Sequence, residues 1–268
     1  MKYINKLGSF KRLLYFNMIA KKILLKNYFF SNKEFSYLFI LSPPFCGSTL
    51  LTQIINSSKN VSCNNNIGLM EGQHLPIAKD LLFTKDRWSV EKKIDWIKVK
   101  SIWHKYWDLS KPILLEKSPP NIIRADKIKQ HFNKVKFICL VRNPYAQIQS
   151  NLRRYNTDIK EAASDYINYL KFQKENLTKY ESILIKYEDL TEKPEIEKEK
   201  IVQQNSELND IKINLKFSAH NIRKSKKLAL TNLNKESIDK LSKEQLIAIN
   251  KIFKKEENIL SYFEYSII

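Results

Sequence analysis

Glycine is scarce in this sequence, with 4 among 268 residues, and proline is modest at 8. So little of either excludes collagenous or linker-rich architectures and argues against long disorder. It also gives each one inside a structured region a reason to be questioned. Cysteine is limited to Cys46, Cys63 and Cys139, an odd number whose spacings match no zinc or redox motif. A disulfide scaffold is thereby set aside, and free thiols in a reducing compartment are expected. Acidic residues are few, 28 against 47 basic, for a formal net charge of +19. That excess suits anionic partners such as nucleotides or a membrane surface, but only 7 of the basic residues are Arg, so solvated Lys faces from compositional bias explain it equally well. Long hydrophobic runs are missing too. In residues 1–33 the uncharged run Leu13 to Ala20 is hemmed in by Lys11, Arg12, Lys21, Lys22 and Lys26. It is too short to span a bilayer and has no small-residue cleavage site after it.

What is present is the balance of an ordinary globular chain, 43% hydrophobic and 28% charged, with length for one substantial core. Residues 1–33 form a basic helical segment, expected to pack on the domain; a helix resting on anionic lipid is the other reading. Residues 34–268 form the main domain. Tyr37–Leu41, Pro112–Leu115, Val135–Val141 and Ser182–Tyr187 read as buried strands. Helices are expected at Ser48–Ser58, Ser89–Leu109, Asn121–Phe132, Pro144–Arg154, Ile159–Leu177 and, last, Lys243–Phe263, with Asn60–Asn66 a polar connection and Glu192–Asn209 an exposed helix or insertion. This alternation predicts an α/β fold, a three-layer sandwich with a central parallel sheet flanked by helices. Ligands of such sheets sit beyond the carboxyl ends of the strands, where the motifs below all fall.

The first motif runs Ser42-Pro-Pro-Phe-Cys-Gly-Ser-Thr-Leu-Leu51. Two prolines stiffen the exit from the strand, Gly47 lets backbone approach an anion, and Ser48 and Thr49 open a helix whose free N–H groups point outward. An ordinary helix cap at Ser48 is the plain alternative. Ser42 and Ser48 stand where an ATPase P-loop needs Gly and Lys, which disfavours ATP or GTP hydrolysis. The second motif, Val135 to Ser150, places Arg142 at a strand end and Ser150 eight residues later on the following helix. The two can converge on one phosphate, although a carboxylate partner for Arg142 and a surface role for Ser150 are the ordinary readings.

Together these segments resemble the PAPS-dependent sulfotransferases, whose donor is 3'-phosphoadenosine 5'-phosphosulfate (PAPS). The tyrosylprotein and carbohydrate branches are nearest in motif style. Pro44, Gly47, Ser48 and Thr49 match the family's 5'-phosphosulfate loop, and Arg142, Ser150 and Arg154 its 3'-phosphate site. Lys186-Tyr-Glu-Asp-Leu190 matches a later Tyr-Glu-Asp-Leu element. The resemblance spans about Tyr37 to Leu190 and implies a P-loop-like fold, with Pro44, Phe45, Cys46, Gly47, Ser48, Thr49, Leu50, Arg142, Ser150, Arg154 and Tyr187 around the cofactor. It also implies in-line sulfuryl transfer that releases adenosine 3',5'-bisphosphate without a metal. Phe45 departs from the pattern, since the family usually carries Lys or Arg there.

Glu71, in Leu69-Met-Glu-Gly-Gln-His74, stands roughly where the resemblance to the tyrosylprotein branch implies a base and is the candidate base, with His74 its rival. Lys117, in Glu116-Lys-Ser-Pro119, is expected to supply the charge that Phe45 lacks. A solvated Glu and a surface Lys are the ordinary readings of these residues. His220, Asn221, Arg223 and Lys224 are candidates for a lid. Trp88, Trp96, Trp103 and Trp107 either line an acceptor cleft or simply belong to the core, which is the commoner case. Three functional classes follow: a sulfotransferase acting on an unidentified hydroxyl or amine, a PAPS-binding protein with weak or lost catalysis, and a basic membrane- or nucleic-acid-associated protein. Nucleic acid is not expected as a partner. The cytoplasm is the expected location, with peripheral membrane contact through residues 1–33 as an added option. Neither the acceptor nor the oligomeric state is legible.

Overall fold

A computed structural model describes residues 2–29, 34–215, 217–218 and 227–268. His220, Asn221, Arg223 and Lys224 lie outside the described residues.

Five strands form one parallel sheet: β1 (Ser36–Leu41), β2 (Val61–Cys63), β3 (Ile113–Glu116), β4 (Val135–Val141) and β5 (Ser182–Lys186). Their order is β2-β3-β1-β4-β5. The chain leaves the central strand β1 toward β2 and β3, then returns to the other side through β4. The switch point therefore lies between β1 and β4, and a crevice opens there at the carboxyl ends. Two further strands, β6 (Phe217–Ser218) and β7 (Lys227–Leu228), make an antiparallel ribbon beside the main sheet's first crossover helix.

The helices in chain order are α1 (Lys2–Tyr28), α2 (Ser48–Ile55), α3 (Ala78–Leu82), α4 (Trp96–His104), α5 (Ala125–His131), α6 (Pro144–Tyr155), α7 (Ile159–Lys179), α8 (Tyr187–Glu192), α9 (Pro194–Gln204), α10 (Asn234–Ile238), α11 (Lys243–Phe253) and α12 (Glu257–Tyr262). The pleat of β1 explains the layering. Leu38 and Ile40 face one core with α2, α6, α7, α11 and α12, whereas Tyr37, Phe39 and Leu41 face a second core with α1, α3, α4 and α5. Both faces of the strand are covered, which is why it reads as an unbroken apolar run.

The strands at β1, β3, β4 and β5 stand where the sequence places them. Four expectations change. The polar connection at 60–66 contains β2, whose three residues are too short for a visible alternation. The helix expected over Ser89–Leu109 is only α4: Asp95 caps it by accepting from Lys98 N at 2.9 Å, while Lys92 bonds Asp86 and Thr84 and holds the preceding stretch in turns. The segment 192–209 is no exposed insertion, because α9 buries Glu197 and Ile201 against the sheet side. The final helix is broken at Lys254–Glu256 into α11 and α12. Trp96, Trp103 and Trp107 are core, while Trp88 is half-buried and stacks on Tyr169 at 4.9 Å.

Helix α1 packs on the domain through one face. Phe16 meets Tyr106 edge-on at 5.8 Å. Asn27 donates to the Trp107 carbonyl at 2.8 Å and accepts from Leu109 N at 2.8 Å, and Lys26 pairs with Asp108 at 2.7 Å.

Candidate active site

The loop after β1 turns on two left-handed residues, Phe45 (φ 66°) and Gly47 (φ 87°). At Gly47 the conformation suits glycine, and space demands it: a Cβ there would lie 2.6 Å from the Tyr187 ring. Past the turn α2 begins, and its first internal bond runs from Leu51 N to the Gly47 carbonyl at 3.2 Å. The N–H groups of Ser48, Thr49 and Leu50 precede that bond and lie at the positive end of the helix. The Cys46 side chain turns inward, wholly buried near Tyr166, and burial pushes its thiol up to about 12. Cys46 and Leu50 thus belong to the loop through backbone, not side chain. Pro44 offers its carbonyl to Gln147 Nε2 at 3.0 Å. Phe45 leans on Tyr155, ring centroids 5.5 Å apart, so that no charge replaces the family's basic residue at this position.

The loop after β4 lies alongside. Arg142 is 7% exposed and binds oxygens from several elements. Its Nη1 donates to the Phe45 carbonyl at 3.0 Å and to Ser150 Oγ at 3.4 Å, its Nε to Asn234 Oδ1 at 2.7 Å, and its Nη2 to Ser237 Oγ at 3.4 Å. Below it, the Tyr187 ring lies 4.6 Å away. Among the described residues no carboxylate comes within ion-pair distance of Arg142. A buried cation held only by neutral oxygens is set up to receive an anion. The predicted convergence of Arg142 and Ser150 is therefore present. Arg154 is one turn further along α6 and exposed at its surface. The Tyr187 hydroxyl donates to the Thr231 carbonyl and accepts from Leu233 N, so its ring serves as the floor shared by both loops.

The third group stands at the end of β3. Lys117 is 1% exposed, and its Nζ reaches the Leu69 carbonyl (2.6 Å), Glu71 Oε1 (3.1 Å) and Thr49 Oγ1 (3.4 Å). A Lys on the β3 loop thus touches a hydroxyl at the start of the helix after the β1 loop. Glu71 also accepts from Gln73 Nε2 at 2.5 Å, and His74 Nε2 lies 3.1 Å from its Oε2. Burial alone would raise the Glu71 carboxyl, but the Lys117 ammonium and the bonds from His74 and Gln73 outweigh it and hold the group at about 2. His74 stacks on Phe83 at 4.4 Å, and the Arg87 guanidinium covers the same ring at 4.7 Å.

Sequence reasoning missed Glu116. It is fully buried and accepts from Gly72 N (2.9 Å), Ser118 Oγ (2.5 Å) and Asn121 Nδ2 (2.5 Å). Burial is the chief reason its carboxyl rises to about 7. Gly72 has no room for a side chain, since a Cβ would lie 2.6 Å from both Glu116 Oε1 and Asn64 Nδ2. Glu116, Asn65 (to the Glu71 carbonyl, 2.7 Å) and Ser118 (from Gln73 N, 3.0 Å) together fix the turn that presents Glu71. Among the described residues no cluster of three His, Cys, Asp or Glu side chains is suited to a metal.

With this geometry in place, comparison with known proteins is informative. The model of the sulfotransferase family matches residues 38–205. No protein of curated function matches the sequence. Among solved structures, the sulfotransferase domain of the Synechococcus PCC 7002 olefin synthase superposes with a TM-score of 0.54 at 18% identity, covering 88% of this chain and 98% of that one. Sulfotransferase STF9 from Mycobacterium avium gives 0.54 at 11% identity, over 93% and 82% of the two chains. A sulfotransferase from Alicyclobacillus acidocaldarius gives 0.50 at 11%, over 87% and 98%. At these identities the likeness is one of fold.

Proposed function

Since the chain belongs to the sulfotransferase family, we propose that it transfers a sulfuryl group from PAPS to a hydroxyl or amine of an acceptor and releases adenosine 3',5'-bisphosphate. The observation that carries this reading is Arg142. It is a buried cation with no carboxylate in ion-pair distance among the described residues, bonded at once to the loop after β1 and to Ser150 on α6. That arrangement supports two anion-receptive sites at the ends of adjacent strands across the switch point, as a nucleotide with phosphates at both ends requires.

PAPS supplies an activated S–O bond that breaks toward its 5'-phosphate as the acceptor atom bonds to sulfur. The chain's own groups do the rest. Arg142 and Ser150 bind the 3'-phosphate, and the N–H groups of Ser48 to Leu50 bind the 5'-phosphate end. Lys117, bonded to Thr49, neutralises the leaving phosphate oxygen and so provides the charge that Phe45 does not. Glu71 takes the acceptor proton. In the resting arrangement Lys117 lowers its basicity; as the ammonium turns toward the leaving oxygen, burial counts for more against the remaining bonds from His74 and Gln73, and the carboxylate becomes a stronger base. His74 steadies Glu71 from the opposite side.

Calorimetry with adenosine 3',5'-bisphosphate, using AMP and ATP as controls, tests the reading. Wild type should bind the bisphosphate preferentially, and Arg142→Ala should lose on the order of 10- to 100-fold in affinity. Equal affinity for AMP and the bisphosphate, or an indifferent Arg142→Ala, would remove the donor assignment. The reading of a PAPS binder without turnover predicts the same binding but no transfer of labelled sulfuryl to any acceptor in a screen.

A further inference from the structure

Over its described side chains, from residue 11 on, helix α1 is apolar on two opposite faces, and the fold uses one of them. At about 100° per residue, Leu14, Met18 and Leu25 fall within roughly 40° of one another, on the side away from Phe16 and Asn27. The docked Phe16 is 3% exposed, whereas Leu14 is 53%, Met18 62% and Leu25 73% exposed. Lys21 flanks this stripe on one side, and Lys11 and Lys22 on the other. Residues 1–33 contain no Asp or Glu at all. No helix among the described residues is long and apolar enough to cross a membrane.

We propose that the outward face of α1 is a seat for an anionic phospholipid surface, with Leu14, Met18 and Leu25 entering the interface and Lys11, Lys21 and Lys22 meeting the headgroups. An apolar stripe bordered by cations fits the boundary between acyl chains and anionic headgroups. A second copy of the chain fits less well, because pairing this face with itself sets lysine against lysine with no acidic residue in the segment to relieve it. Nucleic acid would engage the cations and leave the exposed stripe in water. The bonds of Asn27 to Trp107 and Leu109 hold the end of α1 near the amino ends of β1 and β3. The candidate active site lies beyond the carboxyl ends, so the seat leaves it open. The inference is independent of the sulfotransferase reading.

Cosedimentation of the full chain with vesicles is the test, using phosphatidylcholine alone or with roughly one third phosphatidylserine. Wild type should bind the anionic vesicles at least about ten-fold more tightly, and added salt should weaken that binding. The variant Leu14→Glu/Met18→Glu/Leu25→Glu should lose about ten-fold or more, and Lys21→Gln/Lys22→Gln should lose several-fold. Melting temperature and affinity for adenosine 3',5'-bisphosphate should not change, since none of these side chains is buried. If the triple variant melts early, Met18→Gln/Leu25→Gln provides the same test with less perturbation. Binding that ignores lipid charge, or that survives loss of the stripe, would overturn the proposal. So would a wild-type dimer that the triple variant dissolves, or a duplex oligonucleotide that binds more tightly than vesicles and is indifferent to the stripe.

Discussion

Gly47 is under two separate restraints, a left-handed backbone and a Tyr187 ring that leaves no room for a Cβ. Gly47→Ala should therefore cost about 1–3 kcal/mol by thermal or urea unfolding. It should also weaken bisphosphate binding, because the loop cannot shift without displacing the floor beneath Arg142. Lys117→Met removes the ammonium bonded to both Thr49 and Glu71. We expect turnover to fall by about 100-fold or more, chiefly in kcat, and the Glu71 carboxyl to rise from its depressed value, with His74 and Gln73 still bonded to it. Normal turnover in a Lys117→Met protein that still binds the nucleotide would remove Lys117 from the chemistry. Glu116 gives a pH signature. Its carboxyl titrates near 7 in the fold against an ordinary 4.5, so between these values the folded state holds a proton that the unfolded state has lost. Stability should fall as pH rises through that window and level off above it. Glu116→Gln should flatten the profile of Tm against pH. Glu71, Lys117, Arg142 and Ser150 were legible because short local motifs carry them. Asn234 and Ser237 were not, because they reach Arg142 from more than ninety residues away along the chain, and Glu116 read only as the neighbour of a lysine.

The helix that follows Arg142 begins on a well-formed cap. Asn143 Oδ1 accepts from Tyr145 N at 3.1 Å and Ala146 N at 3.2 Å, with Pro144 in the first turn. Asn143→Ala should cost about 1 kcal/mol, seen as a lower Tm. It should also reduce bisphosphate affinity, since the same cap fixes the angle between Arg142 and Ser150. Long or strongly patterned elements were readable: β4 and α6 stand close to where periodicity and the Pro at the helix start place them. The failures have local causes. β2 is too short for a pattern, and the Trp-rich run before Leu109 suggests one long helix because its apolar spacing continues into turns tied down by Lys92. The break between α11 and α12 is unmarked by Gly or Pro in Lys254-Lys255-Glu256, so nothing in the sequence announces it.

For the whole molecule, the parallel sheet was implied by the alternation of strands and helices, but its strand order, and with it the switch point, was not. It depends on β1 being central, which no local pattern encodes. The net charge of +19 acts at this scale as well. Association with a polyanionic nucleotide should slow as salt is raised from low to physiological strength, where the screening length contracts to about 8 Å. Stopped-flow measurement of bisphosphate binding would record this, with dissociation changing less than association.

Arg142 grips the Phe45 carbonyl in the loop after β1 and Ser150 Oγ on α6 with the same guanidinium nitrogen. A ligand that fills only one loop leaves the other half of that grip unchanged, and two fragments together still bind as separate molecules. The intact nucleotide meets the second loop at the high effective concentration set by its own ribose. On the proposed reading, recognition of the bisphosphate would be a chelate effect, and its affinity should exceed that of either half alone.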